Sequence, residues 1–350
     1  MRAVRLFAPG DVRCVETDKP AIAKADDVIV KVEACGVCGS DIPRVMKKGA
    51  YRYPITIGHE FAGTIEQVGP EAAGLAAGDR VTVMPLIPCG KCDYCKVGSY
   101  VTCKNYEYYG SRIDGAMAEY VRVSAANVLK IPAGLPFEAA AMTDPTSIAL
   151  HAILKGGFLP GQRAVVFGLG AIGYLAVQWL KAMGAREVYA VDVLDEKLGL
   201  ARELGAADAF NGKACDAPKA VMDATGGRGV DLALEISGSK IAQVQALRTV
   251  RSHGTVVYCG ISYDDLLIPN AELSRILRGE LVLRGAWNSS IAPLPVNEWE
   301  TSIAVMASGS IKTAPLVSHS FRLEECAGCF RQLYDRTLVF NKVMFYPWRK

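Results

Sequence analysis

Short runs in which apolar and polar residues alternate fill the first 150 positions, broken every few residues by Gly or Pro. Residues 27–34 (DVIVKVEA), 63–69 (GTIEQVG), 79–85 (DRVTVMP) and 118–124 (AEYVRVS) carry the period of two that buries one face of a strand. This half of the chain reads as mostly β. From about residue 160 the texture changes: 162–168 (QRAVVFG) is a short buried strand, 171–185 (AIGYLAVQWLKAMGA) has the length and period of a helix, and 187–192 (EVYAVD) is a strand again. The alternation continues with a helix at 196–206, strands at 208–211 and 230–237, a helix at 241–251, and strands at 254–260 and 280–286. Such alternation specifies a parallel sheet covered by helices on both faces. After Trp287 the pattern becomes irregular, and the closing run 341–347 (NKVMFYP) reads as a strand whose natural place is back in the first domain. No internal repeat or low-complexity segment interrupts this plan.

A chain of 350 residues is too long for one comfortable core and is expected to form about two domains. Hydrophobic content of 51% with 21% charged residues is that of a folded globular protein. The net charge of +3, with no run of Lys or Arg, argues against a nucleic-acid groove and leaves room for an anionic small molecule. Eleven cysteines are an odd number, and the opening MRAVRLFAPG lacks the apolar core of a signal peptide. The thiols are therefore expected to be reduced and free to bind metal, in a soluble, cytoplasmic protein. No stretch approaches the roughly 18 apolar residues of a membrane helix.

Cys89, Cys92, Cys95 and Cys103 form a C-x2-C-x2-C-x7-C cluster on a loop with little apolar content of its own. Four thiolates close a tetrahedral zinc site with no open position, so this cluster is expected to be structural, the metal supplying folding energy that the loop lacks. An iron–sulfur cluster is the competing reading, but the fourth Cys follows after seven residues rather than three, and no Pro follows it.

Gly168, Gly170 and Gly173 form G-x-G-x-x-G, with Ala171 and Ile172 between the last two, directly after one predicted strand and before a helix. The first glycine makes the tight turn, the second lets backbone approach a pyrophosphate, and the third lets helix and strand pack closely. Asp192 closes the next strand, where a carboxylate accepts hydrogen bonds from the adenosine ribose hydroxyls and repels a 2′-phosphate. This pattern favours NAD over NADP.

A second metal position is suggested upstream. Cys38 in ACGVCGSD and the pair His59-Glu60 in TIGHEF offer sulfur, nitrogen and oxygen ligands. With one acid, Glu60 or Asp144, they would leave a fourth tetrahedral position open for substrate, as a catalytic zinc requires. The chain has four histidines, so such a site must recruit Cys and carboxylate. His151 sits on an apolar helical stretch and reads as packing, while His253 and His319 read as turn residues. Cys326 and Cys329 form a C-x-x-C without the βαβ setting of a redox pair, and Cys14, Cys35, Cys215 and Cys259 carry no pattern.

The motifs GVCGSD, GHEFAGTIEQVG, GDRVTV, the four-Cys loop, DGAMAEYV and GLGAIG with Asp192 resemble those of the zinc-dependent medium-chain alcohol/polyol dehydrogenases. The resemblance spans the whole chain. It implies an α/β protein in which a chaperonin-like (GroES-like), partly open β-barrel catalytic domain, residues 1–148 and 289–350, carries an inserted Rossmann domain, a doubly wound parallel sheet at 149–288 that binds NAD. It also implies two zinc ions per chain, assembly as a homodimer or homotetramer, and oxidation of a secondary alcohol of a polyol or polyol phosphate. An unphosphorylated polyol, a sugar or another secondary alcohol such as threonine is the alternative substrate, and a non-catalytic zinc- and NAD-binding module is the alternative of another class.

By the same resemblance the catalytic zinc falls to Cys38, His59 and the acid at 144, with Glu60 as an exchangeable ligand, and Ser40 matches the hydroxyl that relays the substrate proton. Two positions depart from the pattern. Asp144 stands where many members carry Glu, one methylene longer, and Pro43 stands where polyol dehydrogenases often carry His and cannot relay a proton. A phosphorylated substrate would need cations, for which Arg44, Lys47, Lys48 and Arg112 are candidates by charge, with Tyr51, Trp287 and Asn288 as candidate pocket residues.

Overall fold

The computed structural model describes residues 1–349, which divide into two compact units. One comprises residues 1–144, 290–308 and 313–349, and the other residues 145–289 and 309–312. The sequence reading set the junctions after residues 148 and 288, and 309–312 group with the second unit rather than with the flanking C-terminal segments.

The second unit is built on six parallel strands in the spatial order Asp208–Asn211, Glu187–Asp192, Arg163–Phe167, Val230–Glu235, Val250–Tyr258 and Val282–Gly285. In chain order this is 3-2-1-4-5-6, the doubly wound Rossmann arrangement. Its central strands are covered on both faces: RAVVF is buried at four of its five positions and VDLALE at all six, with Val165, Phe167, Val191, Ala233 and Val256 in the core. The last strand, Val282–Gly285, is exposed at all four positions and pairs on one side only. Helix Ala217–Ala224 escaped the sequence reading, although its start was signalled: Asp216 accepts from Lys219 N at 3.1 Å and Pro218 sits in the first turn.

The first unit is mostly antiparallel β with short helices; the pairing of Val317–Phe321 with Lys342–Phe345 in its main sheet is parallel. Its main sheet runs Val128–Lys130, Arg80–Val83, Glu60–Val68, Asp27–Gly36, Lys342–Phe345 and Val317–Phe321, with Tyr120–Ser124 also paired to Asp27–Gly36. The closing run NKVMFYP thus returns to this unit as an interior strand, placing Met344 opposite Gly36. Val28, Val30, Phe61, Ile65, Val81, Val121, Val343 and Phe345 fill the core beneath it.

The stretch after Trp287 is less irregular than the sequence reading has it, because it holds the helices Glu298–Ala307 and Cys326–Tyr334. The first is capped by Asn297, whose Oδ1 accepts from Trp299 N and Glu300 N. The second buries Cys326, Cys329, Phe330 and Leu333 on one face, the i, i+3, i+4, i+7 spacing of an amphipathic helix. Burial pushes both of these thiols up to about 12, which suits packing rather than redox chemistry. His319 lies on strand Val317–Phe321 rather than in a turn, whereas His253 interrupts its strand with a φ of 59°, 3.3 Å from Glu280. Among the described residues no helix is long and apolar enough to cross a membrane.

Candidate active site

Three strand ends converge in the first unit. Strand Asp27–Gly36 runs out at Gly36 and delivers Cys38 two residues later, strand Glu60–Val68 starts immediately after His59, and Lys342 opens the C-terminal strand. Register fixes their relation, because Gly36 stands opposite both Glu60 and Met344. A Cβ on Gly36 would fall 2.5 Å from Glu60 Oε2, so a side chain here would displace that carboxylate.

Ligand atoms of Cys38, His59 and Glu60 all lie within 4.8 Å of one another, a compact sulfur, nitrogen and oxygen donor set. His59 and Glu60 are buried. Asp144 is buried as well but is not part of this set; burial pushes its carboxyl up to about 7, against the pull of the His59 charge. Ser40 Oγ donates to Cys38 Sγ at 3.2 Å.

Two residues that sequence reasoning passed over complete the surroundings. Asp41, fully buried, places Oδ1 3.4 Å from His59 Nδ1 and accepts from Cys38 N through Oδ2 at 3.2 Å. Burial opposes ionisation of both members, but their attraction outweighs it: His59 is held well above the usual imidazole range and Asp41 below the usual carboxylate range. A carboxylate beside a ring nitrogen biases the orientation of the imidazole, as carboxylates do behind metal-ligating histidines. Lys342, also buried, donates from Nζ to Glu60 Oε2 at 2.5 Å and to Val37 O at 3.1 Å. The GSD tripeptide after Cys38 was the available signal for Asp41. Lys342 had none, since its partner is remote in sequence.

The candidate substrate residues meet different fates. Arg44 places NH1 2.5 Å from Asp41 Oδ1, so its charge serves the Asp41–His59 pair. Arg112 packs its guanidinium against the rings of Tyr51 and Tyr106, at 4.2 and 4.6 Å from their centroids. Tyr51 is 72% exposed, and Lys47 and Lys48 are exposed. In the other unit, Trp287 is 51% exposed, and Asn288 takes a left-handed φ of 59° with its Oδ1 accepting from Ser289 N.

Cys89, Cys92, Cys95 and Cys103 come together as a second donor set. The separations 89–95, 92–95 and 92–103 are 4.0, 3.6 and 3.9 Å between sulfurs, and none of the four is in a disulfide. A tetrahedron with zinc–sulfur bonds of about 2.3 Å has edges of about 3.8 Å. Backbone N–H groups of Lys104 and Cys95 pull the Cys92 thiol down to about 6, burial pushes the Cys95 thiol up to about 12, and Cys89 N donates to Cys103 Sγ at 3.2 Å.

In the Rossmann unit the glycine turn has the expected form. Gly168 takes a φ of 97°, Gly170 caps helix Ala171–Ala182, and a Cβ on Gly173 would fall 1.9 Å from Gly168 O. Ala171 and Ile172 thus form the first turn of a helix that has no side-chain cap at its N-terminus. Asp192 does more than expected: Oδ2 accepts from Leu169 N at 2.6 Å, and Oδ1 from Val193 N and Leu194 N at 2.7 and 3.1 Å, which locks the glycine turn to the next strand.

Comparison with known proteins agrees with this geometry. Residues 24–133 match the alcohol dehydrogenase GroES-like domain and residues 171–308 the zinc-binding dehydrogenase family. Galactitol 1-phosphate 5-dehydrogenase of Escherichia coli K12 is 36% identical over 99% of this chain and 100% of its own length. The crystal structure of galactitol-1-phosphate dehydrogenase from Escherichia coli superposes with a TM-score of 0.94 at 36% identity, covering 99% of this chain and 100% of that one. A putative zinc-binding dehydrogenase from Sinorhizobium meliloti bound to NADP superposes with a TM-score of 0.91 at 29% identity, covering 99% of each chain. The donor sets, the glycine turn and these full-length matches identify the chain as a member of the zinc-dependent medium-chain alcohol and polyol dehydrogenases.

Proposed function

We propose that this protein oxidises a secondary hydroxyl of a polyol phosphate, of the galactitol 1-phosphate type, and passes the hydride to NAD. The observation that carries the reading is the donor set of Cys38, His59 and Glu60, with the Ser40 hydroxyl on the Cys38 sulfur. Zinc bound there supplies a Lewis acid that stabilises negative charge developing on the carbinol oxygen. Cys38, His59 and Glu60 are its protein ligands in this reading, the compactness of the set favouring Glu60 over Asp144. A second zinc is held by Cys89, Cys92, Cys95 and Cys103, where closed four-sulfur coordination suits a structural role.

Ser40 takes the substrate proton. Pro43 offers no side chain to carry it onward, so its exit uses water or a ribose hydroxyl of the cofactor. Asp41 holds the His59 ring, and Lys342 offsets the charge of Glu60. Gly168, Gly170, Ala171, Ile172 and Gly173 hold the pyrophosphate, and Asp192 selects NAD, because its charge repels a 2′-phosphate. The NADP found in the Sinorhizobium meliloti relative makes this selectivity a point for measurement.

We further infer a cytoplasmic homodimer or homotetramer. The edge strand Val282–Gly285 supports assembly, since an apolar edge left open invites pairing with another copy.

The decisive experiment is NADH formation on galactitol 1-phosphate, galactitol and sorbitol, with metal analysis and light scattering on the same preparation. The expected result is a kcat/KM at least tenfold higher for the phosphorylated substrate, NAD preferred over NADP, and about two zinc per chain. A preference for neutral polyols sinks the substrate assignment. A zinc- and NAD-loaded protein that oxidises no alcohol sinks the enzyme.

A further inference from the structure

We propose that Arg112 is the residue that recognises the phosphate of the substrate. This rests on the polyol-phosphate reading and goes beyond it, because Arg44, Lys47, Lys48 and Arg112 were equal candidates by charge.

The structure separates them by what each cation already does. Arg44 is bonded to the buried Asp41 carboxylate, and nearby Arg52 stands 3.1 Å from Asp114. Among the described residues, Arg112 has neither a carboxylate partner nor a side-chain hydrogen bond; its guanidinium is held by aromatic packing against Tyr51 and Tyr106. Contact with two rings positions the group while leaving its N–H donors unspent, and a guanidinium with free donors can bind two phosphate oxygens at once. Lys47 and Lys48 are exposed, and an ammonium is a point charge that lacks the planar fork of a guanidinium.

The loop that carries Arg112 is docked on the backbone next to His59. Arg112 N and Ile113 N both donate to Tyr108 O, and Gly110 N donates to Ile113 O, which closes a tight turn. Gly115 N donates to Thr56 O and Ala116 N to Gly58 O, so the turn is fastened to the segment that leads into His59. Backbone contact is close enough that a Cβ on Gly110 would fall 2.6 Å from Gly58 O, and one on Gly115 2.1 Å from the same oxygen. A ladder of rings runs between the two places: Tyr108 meets His59 edge-on at 5.5 Å, and Tyr106 meets Tyr108 at 6.4 Å. The donor set and the unpaired cation are therefore linked through backbone hydrogen bonds and ring contacts. One end holds the ligands of the zinc that would meet the carbinol oxygen, and the other holds a charge for the far end of an extended substrate.

The test compares wild type with Arg112→Gln and Arg112→Lys on a hexitol 1-phosphate and the matching neutral hexitol, with inorganic phosphate as a separate probe. In Arg112→Gln the ratio of kcat/KM for the phosphorylated over the neutral substrate should fall roughly 100-fold, mainly through KM, with Arg112→Lys between. Inorganic phosphate should compete with the phosphorylated substrate in wild type, with an inhibition constant at least tenfold weaker in Arg112→Gln. A parallel fall for both substrates, or a ratio that does not move, overturns the proposal, as does equal inhibition of wild type and variant by phosphate. Should wild type prefer the neutral hexitol, the polyol-phosphate reading fails on its own. Phosphate inhibition then still decides whether Arg112 forms an anion site.

Discussion

Lys342 Nζ and Glu60 Oε2 stand 2.5 Å apart, both side chains sealed from solvent, although 282 positions separate them in the chain. Burial alone would lower the pKa of the lysine, but the charge of Glu60 overrides it and holds the ammonium above its ordinary value. The pair places a carboxylate that belongs to the donor set under the control of the C-terminal strand.

In the zinc-free protein, replacing Lys342 by Met should leave Glu60 buried without its ammonium partner, at a cost of about 3–5 kcal/mol. Thermal unfolding of the chelator-treated protein measures it. Lys342→Arg should recover most of the loss. A Lys342→Met protein as stable as wild type would mean that Glu60 finds another partner or a proton.

Gly173→Ala puts a methyl where Gly168 O now lies, and helix Ala171–Ala182 must move off its strand. The expected cost is about 1–3 kcal/mol of stability, with NAD affinity falling by at least tenfold. Fluorescence titration with NADH alongside urea unfolding separates the two effects. Unchanged NADH affinity would show that the glycine turn does not hold the pyrophosphate.

Cys92→Ser should lower the metal content from about two zinc per chain to about one, because a closed four-sulfur site tolerates the loss of a thiolate poorly. Limited proteolysis should then cut between residues 89 and 103, where the loop has only short helical turns of its own. Retention of both metals would sink the structural-zinc assignment.

Asp231 gives an acid-stability prediction. Its carboxylate accepts from Arg163 N at 2.7 Å and Arg251 Nε at 2.6 Å; burial opposes ionisation, but these bonds prevail and the folded-state pKa lies below the ordinary value. A depressed folded pKa contributes stability that is fully present above the unfolded value of about 3.9 and is lost as pH falls through the folded value. Asp231→Asn should therefore be about 1–3 kcal/mol less stable than wild type at pH 7, with the gap closing below about pH 4. A gap that stays constant with pH would mean that the bonds matter through shape and not charge.

Local patterns decided much of this protein in advance. Period-two runs and strand–helix alternation are properties of neighbouring residues, so the β-rich half and the parallel sheet were both legible. Motifs that work through a single loop or turn were legible for the same reason: the four cysteines lie within 15 positions, and the glycines of the dinucleotide turn within six. Helices with short or polar faces, such as Ala217–Ala224 and Glu298–Ala307, were missed because their signal is carried by a cap rather than by a long apolar period.

What only tertiary structure decided is how distant charges pair. Lys342 meets Glu60 because the last strand docks beside Asp27–Gly36, and Arg44 is taken by Asp41 while Arg112 rests on tyrosines because a loop folds back onto Gly58. Sequence supplies the charge of each side chain. Whether that charge is neutralised, buried or left available depends on neighbours that the fold alone brings within a few ångströms, where desolvation and Coulomb attraction outweigh any local preference.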